Sequence, residues 1–352
     1  MLYWIAFLAL ALVFTSFSLN NNLDKNIRKV FKILLILLLI YFSGFRDGLG
    51  QDYLGYEMDI KYGYNSVISL YEPMYSILVL LINHTFLSSK FFFLFMAIIT
   101  NVLFVTSFYR YKQKNTFLIM FIYLFGVIFY ASSFNLVRQM CAASIFVYGI
   151  KYIKDRNFIK YLLFVLIAAS IHASAIFLIP VYFIANKIYS NSILIFLLVL
   201  SIYLGQTVVI NDVSSLSRFL LSYDRYVTVE SPDTSSGYLT LFFNICLFLL
   251  IIRKEKLITN CNLNIEFNLF FIGVILYNLM PSLYMIFRFA IYFIMFAPIV
   301  LPYLHVVFPK QLAYTFLVLF FSVLFSYYMY RNIDNPRVIP SKILPITSIF
   351  DK

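Results

Sequence analysis

The chain has 352 residues, of which 62% are hydrophobic, 20% aromatic and only 12% charged. About a quarter of the residues of an ordinary soluble domain are charged. This composition and a mean hydropathy of +0.89 therefore exclude a water-soluble globule. The formal net charge of +12 comes from 27 Lys and Arg against 15 Asp and Glu. In such a chain the basic excess orients loops against a membrane and does not indicate a nucleic-acid partner. We expect a single polytopic membrane domain over residues 1–352.

Apolar runs recur along the whole chain, and their lengths predict helices. A membrane span needs about 20 apolar residues, so the runs predict an all-α fold with roughly ten to twelve transmembrane or re-entrant helices. Strands are not expected, because lipid offers no partner to open sheet edges. The runs fall near residues 2–19, 30–45, 73–87, 91–108, 116–131, 139–153, 161–186, 193–210, 238–252, 265–280, 282–304 and 311–330.

Basic residues gather in short loops that the positive-inside rule places in the cytoplasm. Acidic residues gather in two longer segments, which we expect to form extracytoplasmic loops. This orientation makes the short run 73–87 a re-entrant candidate. It also predicts that the run 161–186 is a hairpin of two short helices that bends at His172. The basic loops cover residues 25–32, 110–114, 151–160 and 253–256, and the acidic segments cover approximately residues 44–72 and 211–237.

The first polar group is a glycine-rich turn, residues 43–53, at the end of the second apolar run. It contains Arg46, Asp47 and Asp52. Glycine residues let the backbone approach a ligand closely, so this turn is a candidate binding loop. An interfacial loop in which Arg46 reaches lipid headgroups is the alternative interpretation.

The second polar group opens the run near residue 139. Asn135, Arg138 and Gln139 have the spacing of one helical face, which Ala142 continues. A guanidinium suits carboxylate or phosphate oxygens, and a helix N-terminus adds partial positive charge. In the alternative interpretation, Arg138 forms a buried pair with one of the outer acids.

Two further groups place a cationic or imidazole side chain in an apolar run. His172 lies among the small residues of segment 168–175, so it is either a functional imidazole or a hydrogen-bond donor between helices. Arg288 lies about one turn from Tyr284 and Tyr292, whose rings can hold a guanidinium. In the alternative interpretation, the Arg288 side chain reaches the lipid headgroups. A charge in an apolar span costs about 2.5–3.5 kcal/mol, which makes such positions functional candidates.

All four groups fall on the predicted outer side of the membrane. Arginines at an apolar-walled site suit a phosphate-bearing, membrane-embedded substrate, while His172 or Asp52 could take a proton from an attacking hydroxyl. This combination is typical of a transferase. The sequence has no P-loop, HExxH or Rossmann glycine pattern, so it indicates neither nucleotide-driven chemistry nor a zinc site.

The polar motifs follow one another in a recognisable order. Arg46…Asp52 is followed by Glu72-Pro73, Asn135-x-x-Arg138-Gln139, Ile171-His172-Ala173-Ser174-Ala175 and Arg288-x-x-x-Tyr292. Over residues 40–300 this order resembles the EpsG-like, Wzy-type polysaccharide polymerases. The resemblance implies an inner-membrane glycosyltransferase that polymerises undecaprenyl-diphosphate-linked oligosaccharide repeat units on the outer side, for O-antigen, capsule or exopolysaccharide. It implies no metal and no other cofactor.

The resemblance also implies that arginines bind diphosphate or glycan and that a histidine lies near the reaction centre. A flippase for the same lipid-linked oligosaccharide is an alternative, although the expected repeat symmetry is missing. A membrane O-acyltransferase is another. A chain-length regulator and a flippase are candidate partners beside the lipid-linked substrate and the bilayer. The predicted catalytic residues are His172, Arg138 and Asp52, and the predicted substrate-binding residues are Arg46, Arg288, Asn135, Gln139 and Glu72.

Overall fold

A computed structural model of the protein describes residues 2–50, 52–62, 72–85, 87–111, 113–207, 235–280, 284–333 and 335. Helices account for 81% of the described residues, and these residues contain no β-strand. The predicted all-α fold is therefore confirmed. The chain divides into two compact units, one formed by Met1–Ile179 with Tyr314–Lys352 and the other by Pro180–Ala313.

The first unit is built from the N-terminal helices and most of the C-terminal helix. Its helices are α1 (Leu2–Ser18), α2 (Lys25–Gly44), α3 (Tyr53–Lys61), α4 (Pro73–Asn83), α5 (Ser89–Phe108), α6 (Gln113–Phe125), α7 (Val137–Gly149), α8 (Lys151–Lys154) and α9 (Phe158–Ile171), with 3₁₀ turns at Ala131–Phe134 and Ala173–Leu178.

The second unit contains the helices between these segments. They are α10 (Val181–Ile184), α11 (Asn191–Thr207), α12 (Ser235–Ile252), α13 (Lys254–Cys261), α14 (Asn264–Leu279), α15 (Tyr284–Ile294) and α16 (Ala297–Val300), followed by a 3₁₀ turn at Leu301–Val306. Helix α17 (Lys310–Arg331) begins in the second unit and joins the first unit at Tyr314.

Short polar side chains explain where three helices begin. The Asp24 carboxylate accepts a hydrogen bond from a backbone N–H in the first turn of α2, at 2.7 Å. Ser88 does the same for α5 at 3.3 Å, and Asn157 does so for α9 at 3.0 Å. Each bond satisfies a backbone donor that the helix itself leaves unpaired.

Three helical stretches in the described parts of the chain are long and apolar enough to cross a membrane. They are Ser89–Phe108 (α5), Ile286–Val306 (most of α15 with α16 and the 3₁₀ turn that follows it) and Lys310–Arg331 (α17). The pair Gly237–Ile252 and Lys254–Cys261, bent by 72°, adds a fourth if it forms one span. Helix α4 has only 11 residues, which is about 16 Å of helix against a hydrocarbon core of about 30 Å. The number of crossings and the re-entrant path of residues 73–87 stay predictions.

Two helices lie where the apolar runs predicted none. Helix α3 lies inside the predicted outer segment 44–72, and α13 begins within the predicted basic loop 253–256 and continues beyond it to Cys261. Both carry too few apolar residues for a hydropathy pattern to reveal them. Most of the predicted outer segment 211–237, with its acidic side chains, lies outside the described residues.

The predicted bend at His172 is confirmed. Helix α9 ends at Ile171, and His172 adopts an extended backbone with φ −146° and ψ 110°. The chain then folds back along α9. The Tyr161 hydroxyl near the start of α9 donates a 2.6 Å hydrogen bond to the carbonyl of Leu178. A hairpin therefore presents His172 at its tip.

Aromatic side chains form the centre of the first unit. The Trp4 ring of α1 makes edge contacts with Phe42, Phe134 and Phe325, with ring centroids 4.9, 5.5 and 6.1 Å apart. These rings come from α2, from the 3₁₀ turn before α7 and from α17. One tryptophan thus links the two ends of the chain within this unit.

Polar side chains link three helices of the second unit. Asn244 and Asn278 exchange two amide hydrogen bonds of 2.7 and 2.9 Å, and Asn278 also donates to Ser201 at 2.8 Å. Gly205 lies so close to the carbonyl of Asn278 that a Cβ would overlap it. Helices α11, α12 and α14 are therefore held together by hydrogen bonds and close backbone packing.

Candidate functional site

The candidate site centres on Glu72, which precedes helix α4. Pro73 occupies the first turn of α4, where a missing backbone N–H costs nothing. Glu72 is at the N-cap position, but its side chain makes no capping bond. The carboxylate extends to other segments of the chain.

The two carboxylate oxygens of Glu72 hold two of the predicted site residues. Oε2 accepts a hydrogen bond from Nη1 of Arg138 in an ion pair. Oε1 lies 3.1 Å from Nδ1 of His172 and accepts a 2.9 Å bond from the backbone N–H of Ala173. Glu72 is 8% exposed and His172 is 5% exposed. Arg138 is therefore paired with an acidic side chain, as one of the two predicted interpretations had it. The side of the membrane on which the pair lies stays a prediction.

These contacts keep Glu72 ionised. Burial raises the pKa of the carboxyl group, but the hydrogen bond from His172 and the positive charge of Arg138 outweigh burial and lower the pKa to about 2. An ionised carboxylate only accepts hydrogen bonds, so Nδ1 of His172 is the donor. In the neutral imidazole the remaining nitrogen, Nε2, is then the basic one.

Two tyrosine rings lie against the guanidinium of Arg138. The Tyr75 ring centroid is 4.2 Å from the guanidinium carbon, and the Tyr56 centroid is 5.6 Å away. A cation over an aromatic face gains about 0.5–2 kcal/mol, most where water is excluded. The sequence analysis did not identify these tyrosines. Neither Tyr56, in the acidic segment 44–72, nor Tyr75, in the apolar run 73–87, stands out among the 29 tyrosines of the chain.

Arg46 is 1% exposed and directs its donors at the backbone of its own surroundings. Nε donates to the carbonyl of Leu49 at 3.1 Å, Nη2 donates to that of Phe134 at 3.2 Å, and Nη1 donates to Ser43. The Phe93 ring covers the guanidinium carbon at 4.7 Å. Arg46 thus fastens the glycine-rich turn to the segment before α7, and its role in substrate binding stays a prediction.

The glycine-rich turn approaches the chain's own backbone. Gly50 has φ +104°, and a Cβ there would overlap the carbonyl oxygen of Phe134. Next to it, the backbone N–H of Asp52 donates to Oδ1 of Asn135 at 3.2 Å. Only glycine fits the conformation and the space at position 50.

The prediction that Asn135 shares a helical face with Arg138 is wrong. Helix α7 begins at Val137, so Asn135 precedes it with φ −101° and ψ −57°. A 3₁₀ turn occupies Ala131–Phe134, and Asn135 follows this turn. The three residues do have helical spacing in the sequence, but the helix begins two residues after Asn135.

The structure adds a second polar cluster centred on Lys90 in the first turn of α5. The Lys90 ammonium lies 2.6 Å from Oε1 of Glu57 and 3.7 Å from Oδ1 of Asp47, and it also donates to the Tyr53 hydroxyl. Its side chain is 16% exposed. The sequence analysis did not identify Lys90, although its signal was a lone lysine at the start of an apolar run.

The predicted site residues therefore fall into separate groups. Arg138, His172 and Glu72 are in contact with one another. Arg46 and Asp52 belong to the adjoining glycine-rich turn, which Asn135 contacts from the segment before α7. The Asp52 side chain is exposed and Asn135 is half-buried. Gln139 is buried on α7, and Arg288 is half-buried on α15 of the second unit. Their roles in catalysis or binding stay predictions.

The chain can be compared with known proteins at the level of sequence families, curated sequences and solved structures. No curated protein sequence and no solved structure matches the chain. The sequence pattern of the EpsG family matches residues 29–348, and this family is a Wzy-like polymerase family involved in exopolysaccharide biosynthesis. The apolar helices and this match identify a membrane protein. The chain belongs to the EpsG family.

Proposed function

We propose that the protein is a multi-pass polymerase of a bacterial cytoplasmic membrane that joins undecaprenyl-diphosphate-linked oligosaccharide repeat units at the outer face. The observation that carries this proposal is the contact of one carboxylate, Glu72, with both His172 and Arg138. A base and a cation are thereby held by one group, as a transfer from a diphosphate leaving group requires.

The proposed reaction transfers the growing chain to the next lipid-linked unit. The bond between the anomeric carbon of the growing chain and its diphosphate oxygen breaks, and that carbon forms a bond with a hydroxyl oxygen of the next unit. The hydroxyl proton passes to Nε2 of His172. The electron pair of the broken bond leaves with the lipid diphosphate.

His172 is the proposed general base, and Glu72 orients it. The 3.1 Å contact with Nδ1 selects the tautomer whose Nε2 can accept a proton, and it stabilises the imidazolium that forms. The extended backbone at the tip of the hairpin sets the position of the ring. Asp52, the other predicted base, has an exposed side chain, and its catalytic role stays a prediction.

Arg138 is the proposed stabiliser of the departing diphosphate. Its guanidinium is held in place before the reaction by Glu72, and its side chain keeps 18% of its surface exposed. A fixed cation in a site of low dielectric stabilises developing negative charge without reorganising. We further propose that Arg46, Asn135 and Gln139 of the first unit contribute to binding of the lipid-linked substrate. Arg288, on α15 of the second unit, stays a predicted substrate-binding residue.

The test is the size of the polysaccharide made by a strain that lacks the gene and carries either wild type, His172→Ala or Arg138→Ala. We expect loss of long-chain polymer, accumulation of single lipid-linked units at the outer face and normal protein levels. His84→Ala and Arg253→Ala are matched controls, because both side chains are exposed, and they should restore full chain length.

Other outcomes would contradict the proposal. Normal polymer in both site variants would remove the assigned roles. Depletion of lipid-linked units from the outer face would instead favour a flippase. Transfer of a radiolabelled acyl group to the glycan would favour an acyltransferase.

A further inference from the structure

Two tyrosine rings enclose the guanidinium of Arg138 within the first unit. Tyr75 lies closer, at 4.2 Å, and Tyr56 lies at 5.6 Å from the guanidinium carbon. Both tyrosines are buried, and their rings meet edge to face with centroids 6.4 Å apart. Tyr75 is therefore the nearer aromatic contact of Arg138.

Tyr75 is itself anchored at its hydroxyl end. The hydroxyl donates a 2.8 Å hydrogen bond to Oδ2 of Asp59 on helix α3. The last turn of α3 is tied to α4 by Asn83, whose amide donates at 2.7 Å to the carbonyl of Ile60. Because α3 is fixed to the helix that carries Tyr75, Asp59 restricts how far the ring can turn.

The contact with Glu72 alone does not fix the orientation of the guanidinium. Arginine binds a carboxylate most rigidly through two parallel hydrogen bonds. Here Oε1 of Glu72 accepts hydrogen bonds from His172 and from a backbone N–H, so Arg138 donates only to Oε2. The Nε atom of Arg138 is buried and has no hydrogen-bond acceptor within the parts of the chain that the structure describes. The remaining constraints are a hydrogen bond between the side chains of Arg138 and Tyr56 and the aromatic faces of the two tyrosines.

From these contacts we infer that Tyr75, held by Asp59, is a positioning residue for Arg138. Its ring fixes the plane in which the guanidinium meets the phosphate oxygens of the donor. This inference rests on the proposed function. Without the ring, the guanidinium keeps its charge but can rotate. A rotated guanidinium stabilises the transition state less well, while its effect on substrate binding is smaller.

The test uses the full-length protein in liposomes, with lipid-linked repeat units extracted from the deletion strain as the probe. Tyr75→Leu removes the ring, and we expect kcat to fall at least tenfold while KM changes less than threefold. Tyr75→Phe keeps the ring but loses the bond to Asp59, so it should keep about a third of the activity. Tyr62→Leu is the matched control, because Tyr62 is 66% exposed at the end of α3, and its rates should equal those of wild type.

A double variant separates positioning from general support of the fold. Adding Tyr75→Leu to Arg138→Ala should cause no further loss of rate, because the ring then has no guanidinium to orient. A merely structural role would lower the rate of the double variant again. If Tyr75→Leu fails to accumulate, Asp59→Leu tests the same idea, since it leaves the ring in place but unanchored and should lower kcat severalfold.

Three results would overturn the inference. They are wild-type kcat in Tyr75→Leu, equal losses in Tyr75→Leu and Tyr75→Phe, and additive losses in the double variant. Each leaves the proposed function standing as long as His172→Ala and Arg138→Ala strongly lower the rate of polymerisation. Normal polymerisation in those two variants would mean that the proposed function itself has failed.

Discussion

Glu72 and His172, separated by 100 positions in the sequence, meet with 3.1 Å between Oε1 and Nδ1. The same carboxylate bonds to Arg138 through its other oxygen. Because all three side chains lie in the first unit, the contact between acid, base and cation is a property of that unit alone.

Replacing Glu72 by Gln should abolish activity and lower stability. The amide keeps the shape of the side chain but leaves a buried guanidinium without its anion, which costs about 3 kcal/mol. We expect long-chain polymer to disappear and the melting temperature in detergent to fall by several degrees. Glu255→Gln, at an exposed position of α13, is the control and should leave both measurements unchanged.

The contribution of Glu72 to stability should depend on pH only under acidic conditions. Its pKa is lowered from an ordinary value of 4.5 to about 2. A depressed pKa stabilises the folded state fully above the ordinary value, and this contribution is lost as the pH falls towards the folded-state pKa. The melting-temperature difference between wild type and Glu72→Gln should therefore be constant above about pH 5 and shrink between pH 4.5 and 2. A difference that shrinks between pH 6 and 8 instead would contradict this assignment.

Gly50→Ala and Gly55→Ala should have opposite effects on stability. An alanine at position 50 must adopt φ +104°, and its Cβ would overlap the Phe134 carbonyl. A Cβ at position 55 meets nothing within 4 Å. We expect Gly50→Ala to destabilise the protein by about 1–3 kcal/mol. Gly55 lies inside α3, so alanine there should stabilise it by up to about 1 kcal/mol. Thermal denaturation of the two variants in parallel measures both effects, and equal effects would contradict the close approach at Gly50.

Lys90→Met should loosen the attachment of α3 to α5. The substitution keeps the apolar stem but leaves Glu57 and Asp47 without their cation, at a cost of about 1–3 kcal/mol. Adding Glu57→Gln should recover part of this loss, because it removes the unpaired charge. Protection of α3 amides in hydrogen exchange measures the attachment. Lys61→Met, at an exposed position, should leave the protection unchanged.

Asn278→Leu should destabilise the second unit. It breaks the exchanged amide bonds with Asn244 and the bond to Ser201, and hydrogen bonds between membrane helices contribute about 0.6–2 kcal/mol each. The double variant with Asn244→Leu should lose less than the sum of the single variants, since no unpaired amide remains. Thermal denaturation measures these differences, with Asn260→Leu at an exposed position as the control. Additive losses would contradict direct pairing.

Much of the helical layout could be predicted because apolar runs carry a strong signal in a membrane protein. The break at His172 was also predictable, since an imidazole among small residues interrupts an otherwise continuous run. Helix α3 was not, because its nine residues contain two acids and form no apolar run that hydropathy would detect. Such a helix is stabilised by contacts with other segments, as the Lys90 cluster illustrates.

The site was predictable in its residue types but not in its contacts. Arg138, His172 and Glu72 were all named from sequence, yet the partners of Glu72 lie 66 and 100 positions away. No local pattern connects such distant positions. The sequence also placed Asn135 on a helix that begins only at Val137, because periodicity does not mark the first residue of a helix.

The Trp4 cluster sets the order in which the protein can be completed during synthesis. Trp4 of α1 is translated well before its ring partner Phe325, which lies on α17. The whole of Pro180–Ala313 is made before that partner exists. The contact between Trp4 and α17 can therefore form only after the intervening unit has been translated, so the first unit is completed later than the segment that interrupts it.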